Sequence, residues 1–233
     1  MKFRLTCILT LIGSFVVSSL GGANANDLTS AEKTEGWVSL FDGVSLNGWR
    51  GYKTEEPGMG WQVNEGTLML KGKKAGDLVT VREFGDFDLM FEWKVTETAN
   101  SGVIYRVGLG ETASYVTGPE YQVLDNEKAT DNKEQDHLAA SLYDIALESH
   151  AKTKPVGEWN SGRIRVQGWH VQHWLNGSKV VDVDLASADG KALVAASKFK
   201  DWKKFASLPR GHIALQDHDH EVSFRAIKVR ELK

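Results

Sequence analysis

The stretch DFDLMFEWKV, residues 86–95, decides the fold class because its side chains alternate in character along the chain. One set of alternate positions is entirely apolar: Phe87, Leu89, Phe91, Trp93 and Val95. The other set is mostly charged: Asp88, Met90, Glu92 and Lys94. A period of two is typical of a strand with one face in a core and one face outside it. The stretch therefore predicts a half-buried β-strand.

Similar patterns lie on both sides of this strand. Residues 61–63 and 67–70 predict one hairpin around a glycine-bearing loop, and residues 163–167 and 170–175 predict another. Further short strands are predicted at 102–107, 120–124, 181–185, 213–218 and 222–229. Turn signals recur roughly every 8–12 residues, which is typical of a sandwich or a barrel. We therefore expect an all-β, two-sheet antiparallel sandwich with little helix, restricted to a short helix at 197–205 and a turn at 136–140.

The composition is that of an ordinary globular protein. The 233 residues are 41% hydrophobic and 25% charged, and the formal net charge is −3. This balance argues against a nucleic-acid partner, which selects for a basic face, and no polybasic run favours an anionic membrane surface. We expect neither nucleic acid nor membrane as a partner of the mature chain.

The first residues read as a targeting segment. Lys2 and Arg4 precede an apolar run at 5–20, and an A-x-A site follows at 23–25. This order predicts a secretory signal peptide at 1–25 that also removes Cys7, the only cysteine. A membrane anchor is the alternative, which the short apolar run disfavours. We then expect a flexible lead-in at 26–35, one domain at 36–233, and a periplasmic or secreted protein.

Some polar residues fall opposite core positions on several strands. They are bulky or charged side chains that could line a ligand site: Glu92, Arg106, Glu120, Gln122, Gln216 and His218. If their strands are neighbours in one sheet, these side chains converge on one surface. The alternative is a lattice of ion pairs on an exposed sheet.

Several catalytic signatures are missing from the sequence. It contains no GxSxG elbow, HExxH helix, P-loop or GxGxxG loop. It also lacks an ExDxxE strand, which argues against an ordinary retaining glycosidase with two paired carboxylates. The His218-Asp219-His220 triplet could ligate a metal, but a polar turn between strands, with ordinary surface histidines, explains it better.

Eight motifs, in order, resemble those of the 3-keto-disaccharide hydrolase family. They cover nearly all of the predicted mature chain: GWVSLFDG (36–43) with LNGW (46–49), DFDLMFEW (86–93), NSGVIYR (100–106), GPEYQVLD (118–125), LYD (142–144), GEWN (157–160), HWLNG (173–177) and GHIALQDH (211–218). The resemblance implies a concanavalin A-like jelly roll, exported by a Gram-negative bacterium, that acts on a 3-keto-glycoside.

Such a substrate implies its own chemistry. The C3 carbonyl acidifies the hydrogen on C2, so that a base can form an enolate that expels the group at C1, after which water adds. On this basis we expect Glu120 to be the base, His218 to transfer a proton to the leaving group or at C2, and Arg106 to bind the ketone or enolate oxygen. Gln122 and Gln216 would orient sugar hydroxyls.

The remaining expectations concern the edge of this site and its partners. Glu92, Asp125 and Tyr143 are second choices for substrate contacts, and His137 could close over the site. A divalent cation chelated by the ketone and the 2-hydroxyl could replace Arg106, although no spacing demands one. The partner is a small-molecule sugar, and the sequence predicts no oligomeric state. The alternative function is a non-catalytic, lectin-like carbohydrate-binding module, since one fold can serve both.

Overall fold

A computed structural model describes residues 24–72, 74–149 and 151–233. The expected signal peptide lies outside the described residues except for its last two positions. No helix in these three ranges is long and apolar enough to cross a membrane.

The described residues form two antiparallel sheets, which confirms the predicted β-sandwich. The larger sheet has eight strands: β1 (Val38–Ser39), β3 (Trp61–Asn64), β4 (Thr67–Leu70), β6 (Phe87–Val95), β9 (Asn160–Gln167), β10 (His170–Leu175), β11 (Ser178–Asp184) and β13 (Val222–Glu231). They lie in the order β11-β10-β9-β6-β13-β4-β3, with β1 paired to β13.

The smaller sheet has five strands: β2 (Trp49–Gly51), β5 (Leu78–Thr80), β7 (Asn100–Val107), β8 (Glu120–Leu124) and β12 (His212–Leu215). They lie in the order β2-β5-β12-β7-β8.

The core fills the space between the two sheets. Alternate residues of β6 point into it, as the sequence pattern predicts, and they meet alternate residues of β8. Phe91 and Tyr121 make an edge-to-face contact across the sheets, with ring centroids 5.2 Å apart. Gly162 of β9 allows this contact, because a Cβ there would lie 2.6 Å from the Phe91 ring.

The segment before the sandwich is held against the larger sheet, which differs from the expected flexible lead-in. Asn26 is only 5% exposed, and its side chain donates to the Gly66 carbonyl at 2.8 Å and accepts from the Ala226 N–H at 2.8 Å. Ala226 lies at an irregularity in the pairing of β13 with β6, so its N–H needs an acceptor from elsewhere. Helix α1 (Ser30–Thr34) follows, closed by a capping box between Thr29 and Glu32.

Helix is scarce, as predicted, but it lies earlier than expected. Helix α2 spans Ala188–Ala196 and is capped by Ser187, whose hydroxyl accepts from the Gly190 N–H. Only a 3₁₀ turn, Lys198–Asp201, occupies the predicted helix at 197–205. Ser197 explains the break, because its hydroxyl accepts from the Phe199 N–H and starts the new turn. The turn predicted at 136–140 is a 3₁₀ turn at Gln135–His137.

Candidate active site

A pocket of about 340 Å³ lies on the outer face of the five-stranded sheet, beside β7, β8 and β12. Tyr121 and Val123 of β8 point into the core, so Glu120 and Gln122 point to the opposite face. Gln216 follows β12 and reaches the same face. The pocket is lined by Asn100, Tyr115, Glu120, Gln122, Asp131, Tyr143, Lys198, Phe199, Trp202, Gln216 and His218.

Glu120 is the buried acid of the pocket, with 7% of its surface exposed. Gly102 on β7 makes room for it, because a Cβ at that position would collide with the carboxylate. Burial raises the pKa of Glu120 to about 8, and the negative charges of Asp77 and Asp131 act in the same direction, whereas Lys198 and the hydrogen bond from Gln216 lower it. A carboxylate with such a pKa is a stronger base than an exposed one.

Lys198 supplies a positive charge to this pocket. It begins the 3₁₀ turn after α2, and its Nζ lies 4.1 Å from the centre of the Tyr143 ring. Its backbone N–H donates to the Asp144 carboxylate at 2.6 Å, which fixes the start of the turn. Within the described ranges, no carboxylate forms a salt bridge with Lys198, so its charge is available to a ligand.

Two amide oxygens in the pocket have no hydrogen-bond donor among the described residues. Gln216 Oε1 and Asn100 Oδ1 are both buried and unpaired, although both side chains line the pocket. The Gln122 Oε1 accepts from the Val123 N–H at 3.1 Å, which leaves its NH₂ group to donate elsewhere. Buried polar atoms without partners are costly, so the pocket is suited to a ligand rich in hydroxyl groups.

One wall of the pocket is held by an Asp–His–Asp cluster. His137 Nδ1 lies 2.9 Å from Asp131 Oδ1, and its Nε2 lies 3.0 Å from Asp144 Oδ1. Burial lowers the pKa of His137, but the hydrogen bonds to Asp144 and Asp131 outweigh it, so the net shift is upward. Tyr143 donates to Asp131 Oδ2 at 2.9 Å. His137 thus supports Tyr143 from behind and does not itself line the pocket.

His218 lies at the exposed mouth of the pocket, just after β12. Its loop is anchored by the half-buried carboxylate of Asp77, which accepts from the Asp217 N–H at 2.9 Å. Asp77 also accepts from the hydroxyl of Ser114. One side chain therefore positions both His218 and the turn that carries Tyr115.

Two predicted site residues lie elsewhere, so the expectation that they converge with Glu120 was wrong. Glu92 belongs to β6 of the other sheet and pairs with Arg225 at 2.6 Å. Arg106 has a φ of +52° where the pairing of β7 with β12 is irregular. This irregularity turns its guanidinium away from the pocket to Asp86, at 2.9 Å, and to the Trp169 ring.

Asp125 also lies outside the pocket. Its Oδ2 accepts from the Thr98 N–H at 2.8 Å and its Oδ1 from the Glu127 N–H at 3.1 Å, so it shapes the turn after β8. The structure thus brings together Glu120, Gln122, Gln216, His218 and Tyr143, and it separates Glu92, Arg106 and Asp125 from them. The catalytic and binding roles of these residues stay predictions.

Sequence reasoning missed several residues of the pocket. Asn100 lies in a quoted motif, but its position at the start of β7 gave no sign of a polar face. Lys198 and Trp202 lie in the segment predicted as a helix, and their exposure to the pocket depends on the turn found there instead. Among the described residues, no group of three or more His, Cys, Asp or Glu side chains is arranged to hold a metal ion.

Comparisons with known proteins agree with this architecture. The profile of a family described as "3-keto-alpha-glucoside-1,2-lyase-like domain" matches residues 36–230. The chain is 32% identical over 247 residues to a 3-keto-disaccharide hydrolase of Bacteroides thetaiotaomicron, covering 92% of this chain and 84% of the relative.

Solved structures give the same result for the fold. A Parabacteroides distasonis protein assigned as a glycosyl hydrolase superposes with a TM-score of 0.83 at 31% identity, covering 89% of this chain and 99% of that one. A carbohydrate-binding module of Bacillus subtilis superposes with a TM-score of 0.51 at 11% identity, covering 79% of this chain and 96% of the module. The second similarity concerns the fold alone.

Proposed function

Because the chain belongs to the 3-keto-alpha-glucoside-1,2-lyase-like family, we propose that it cleaves 3-keto-glycosides by C2 deprotonation, elimination of the C1 group and addition of water. Its relatives support a carbohydrate-active, glycoside-cleaving function in general. The observation that carries the finer proposal is the buried carboxylate of Glu120, surrounded by hydroxyl-binding amides in one pocket.

Glu120 is the proposed base. It takes the proton from C2, and the electrons of the broken C–H bond form the enolate between C2 and the C3 carbonyl. A base is most effective when its pKa lies near the working pH, and the raised pKa of Glu120 meets that condition. General base catalysis typically contributes about 10²–10⁴-fold to the rate.

Lys198 is the proposed partner of the enolate oxygen, in place of Arg106. It is the cation of the pocket, and its charge already acts on Glu120. A fixed positive charge stabilises negative charge that develops in the transition state. Collapse of the enolate then restores the C3 carbonyl, forms a C1–C2 double bond and expels the C1 oxygen.

The other pocket residues have supporting roles in this proposal. His218 lies at the mouth, where it can protonate the departing C1 oxygen. Gln122 donates to a sugar oxygen, whereas the free oxygens of Gln216 and Asn100 accept from sugar hydroxyls. Water then adds at C1 of the double bond and gives one proton back to His218. Glu120, whose proton exchanges with solvent, returns a proton to C2, which completes a net hydrolysis.

We also propose that the protein is exported. Lys2, Arg4 and the apolar run at 5–20 support a signal peptide that ends at Ala25, ahead of a single domain at 36–233. Mass spectrometry of the protein from its native host should find a mature N-terminus at Asn26. Detection of an intact Met1 in the accumulated protein would contradict export by this route.

A substrate comparison tests the activity. The protein is incubated with glucosides and with their 3-keto forms, with and without a chelator, and release of the C1 group is followed. We expect release from the 3-keto forms only, and the chelator arm decides whether a divalent cation takes part. Binding of both forms without release from either would favour the lectin-like alternative.

A further inference from the structure

Two aromatic side chains form the outer rim of the pocket. The ring centroids of Tyr115 and Trp202 lie 6.0 Å apart, with the ring planes inclined by 36°. Both side chains line the polar pocket, and both also line a second depression of about 420 Å³ on its far side. Tyr115 is 42% exposed, so its ring face is open to a ligand.

This rim is held rigidly from behind. Trp202 makes an edge-to-face contact with Phe199 at 5.2 Å, and Phe199 stacks on Phe205 at 3.9 Å. Tyr115 belongs to the 3₁₀ turn Ser114–Val116, whose Ser114 hydroxyl donates to the half-buried Asp77. Preorganised aromatic rings bind a ligand without a large loss of conformational entropy.

The floor and the rim of the cleft differ in chemistry. The floor around Glu120 and Gln216 carries polar groups that suit the hydroxyls of the reacting sugar. The rim carries open aromatic faces, which suit the apolar face of a ring. A substituent on C1 that leaves the polar floor on the Trp202 side meets this rim before it reaches the second depression.

We propose that Tyr115 and Trp202 form a leaving-group subsite, which stacks on the apolar face of a ring attached to C1. This inference rests on the proposed function, since that function puts the 3-keto ring over Glu120. The ring chemistry fits either a second pyranose or an aryl group. The subsite therefore selects 3-keto-glycosides with a cyclic leaving group over those with a short alkyl group.

The test compares three 3-keto-glucosides that differ only at C1: methyl, phenyl and glucosyl. For wild type, Tyr115→Ala and Tyr115→Phe, kcat/KM for each ring substrate is divided by that for the methyl substrate. Trp159→Ala is the matched control, because Trp159 packs under Arg225 on the other sheet.

We expect Tyr115→Ala to lower the ring-to-methyl ratio roughly tenfold, the usual size of an aromatic contact. Tyr115→Phe, which keeps the ring, and Trp159→Ala should retain the ratio. A loss confined to the phenyl or to the glucosyl substrate identifies which ring the subsite takes. An unchanged ratio for both rings overturns the subsite and leaves the proposed function standing.

If wild type releases nothing from any 3-keto-glucoside, the proposed function fails, and calorimetric binding then decides the subsite by itself. Phenyl glucoside should bind wild type more tightly than methyl glucoside does, and Tyr115→Ala should remove that difference. Equal affinity of wild type for both glucosides would overturn the subsite.

Discussion

The side-chain amide of Gln216 donates to the carboxylate of Glu120 at 3.5 Å, although 96 positions separate the two residues in the chain. The contact joins the beginning of β8 to the end of β12 across the intervening β7. Gln216 therefore orients the proposed base with its NH₂ group while its buried oxygen remains free to accept from a substrate.

Glu120→Gln should lower kcat/KM on a 3-keto-glucoside by about two orders of magnitude or more, because the amide keeps the shape of the side chain but cannot take a proton. Wild type should also introduce solvent deuterium at C2 of the recovered product. Glu92→Gln is the matched control on the other sheet and should retain activity. Near-full activity of Glu120→Gln would remove Glu120 from the role of base, and absence of deuterium at C2 would remove the elimination mechanism.

The pH dependence of kcat/KM should report the ionisation of Glu120. Activity should rise with pH as the carboxyl group loses its proton, with a midpoint near its pKa of about 8. Lys198→Met should move this midpoint to higher pH, because Lys198 favours the ionised form, and it should also lower the plateau rate. Lys200→Met removes a charge from the same turn and should leave the profile unchanged. Identical profiles for the two lysine variants would contradict the role of Lys198.

Arg106→Gln should act on stability and hardly on catalysis. The guanidinium is buried and bridges Gly85 and Asp86, so its removal leaves polar groups unpaired and should cost about 1–3 kcal/mol in the free energy of unfolding. Urea denaturation measures this loss, and kcat/KM below the denaturation range should remain within about threefold of wild type. A hundredfold loss of kcat/KM in a folded variant would indicate that Arg106 takes part in catalysis.

The stabilising effect of His137 should depend on pH. Its pKa is raised in the folded state above the usual 6.5, so its contribution is complete below that value and is lost as pH rises through the folded pKa. His137→Gln should therefore reduce the free energy of unfolding more at about pH 5.5 than at about pH 9, which lie on either side of the ordinary histidine pKa. Urea denaturation at both pH values measures the difference. An equal loss at both pH values would contradict a charged His137.

The alternation of apolar and polar residues along the strands was sufficient to predict the sandwich and most of the central residues of the candidate site. Glu120 and Gln122 fall opposite core positions on β8, and the period of two indicates that these two residues share a face. Gln216 joins them because β12 and β8 flank β7 in one sheet. The same rule failed for Glu92, because a strand pattern does not state to which sheet the strand belongs. It failed for Arg106 because this residue has a positive φ at an irregularity in the pairing of β7 with β12, which reverses the alternation at that position.

The alternation of apolar and polar residues could not predict the pocket residues that lie on turns. Lys198, Trp202 and Tyr115 enter the cleft from 3₁₀ turns, whose side-chain directions follow from local caps rather than from a period. The hydroxyls of Ser197 and Ser114 set these directions through contacts that a pattern of hydrophobicity does not contain.

The position of β12 in the chain has a consequence for the order of folding. Strand β12, which ends at Leu215, lies between β5 and β7. The smaller sheet therefore lacks its central strand until more than nine-tenths of the chain has been synthesised. Pairings of such long sequence separation are slow to form, because the loop between them must close first. Recovery of enzymatic activity during refolding should then coincide with the slowest kinetic phase, and a ribosome-bound chain that ends before β12 should display no cleft.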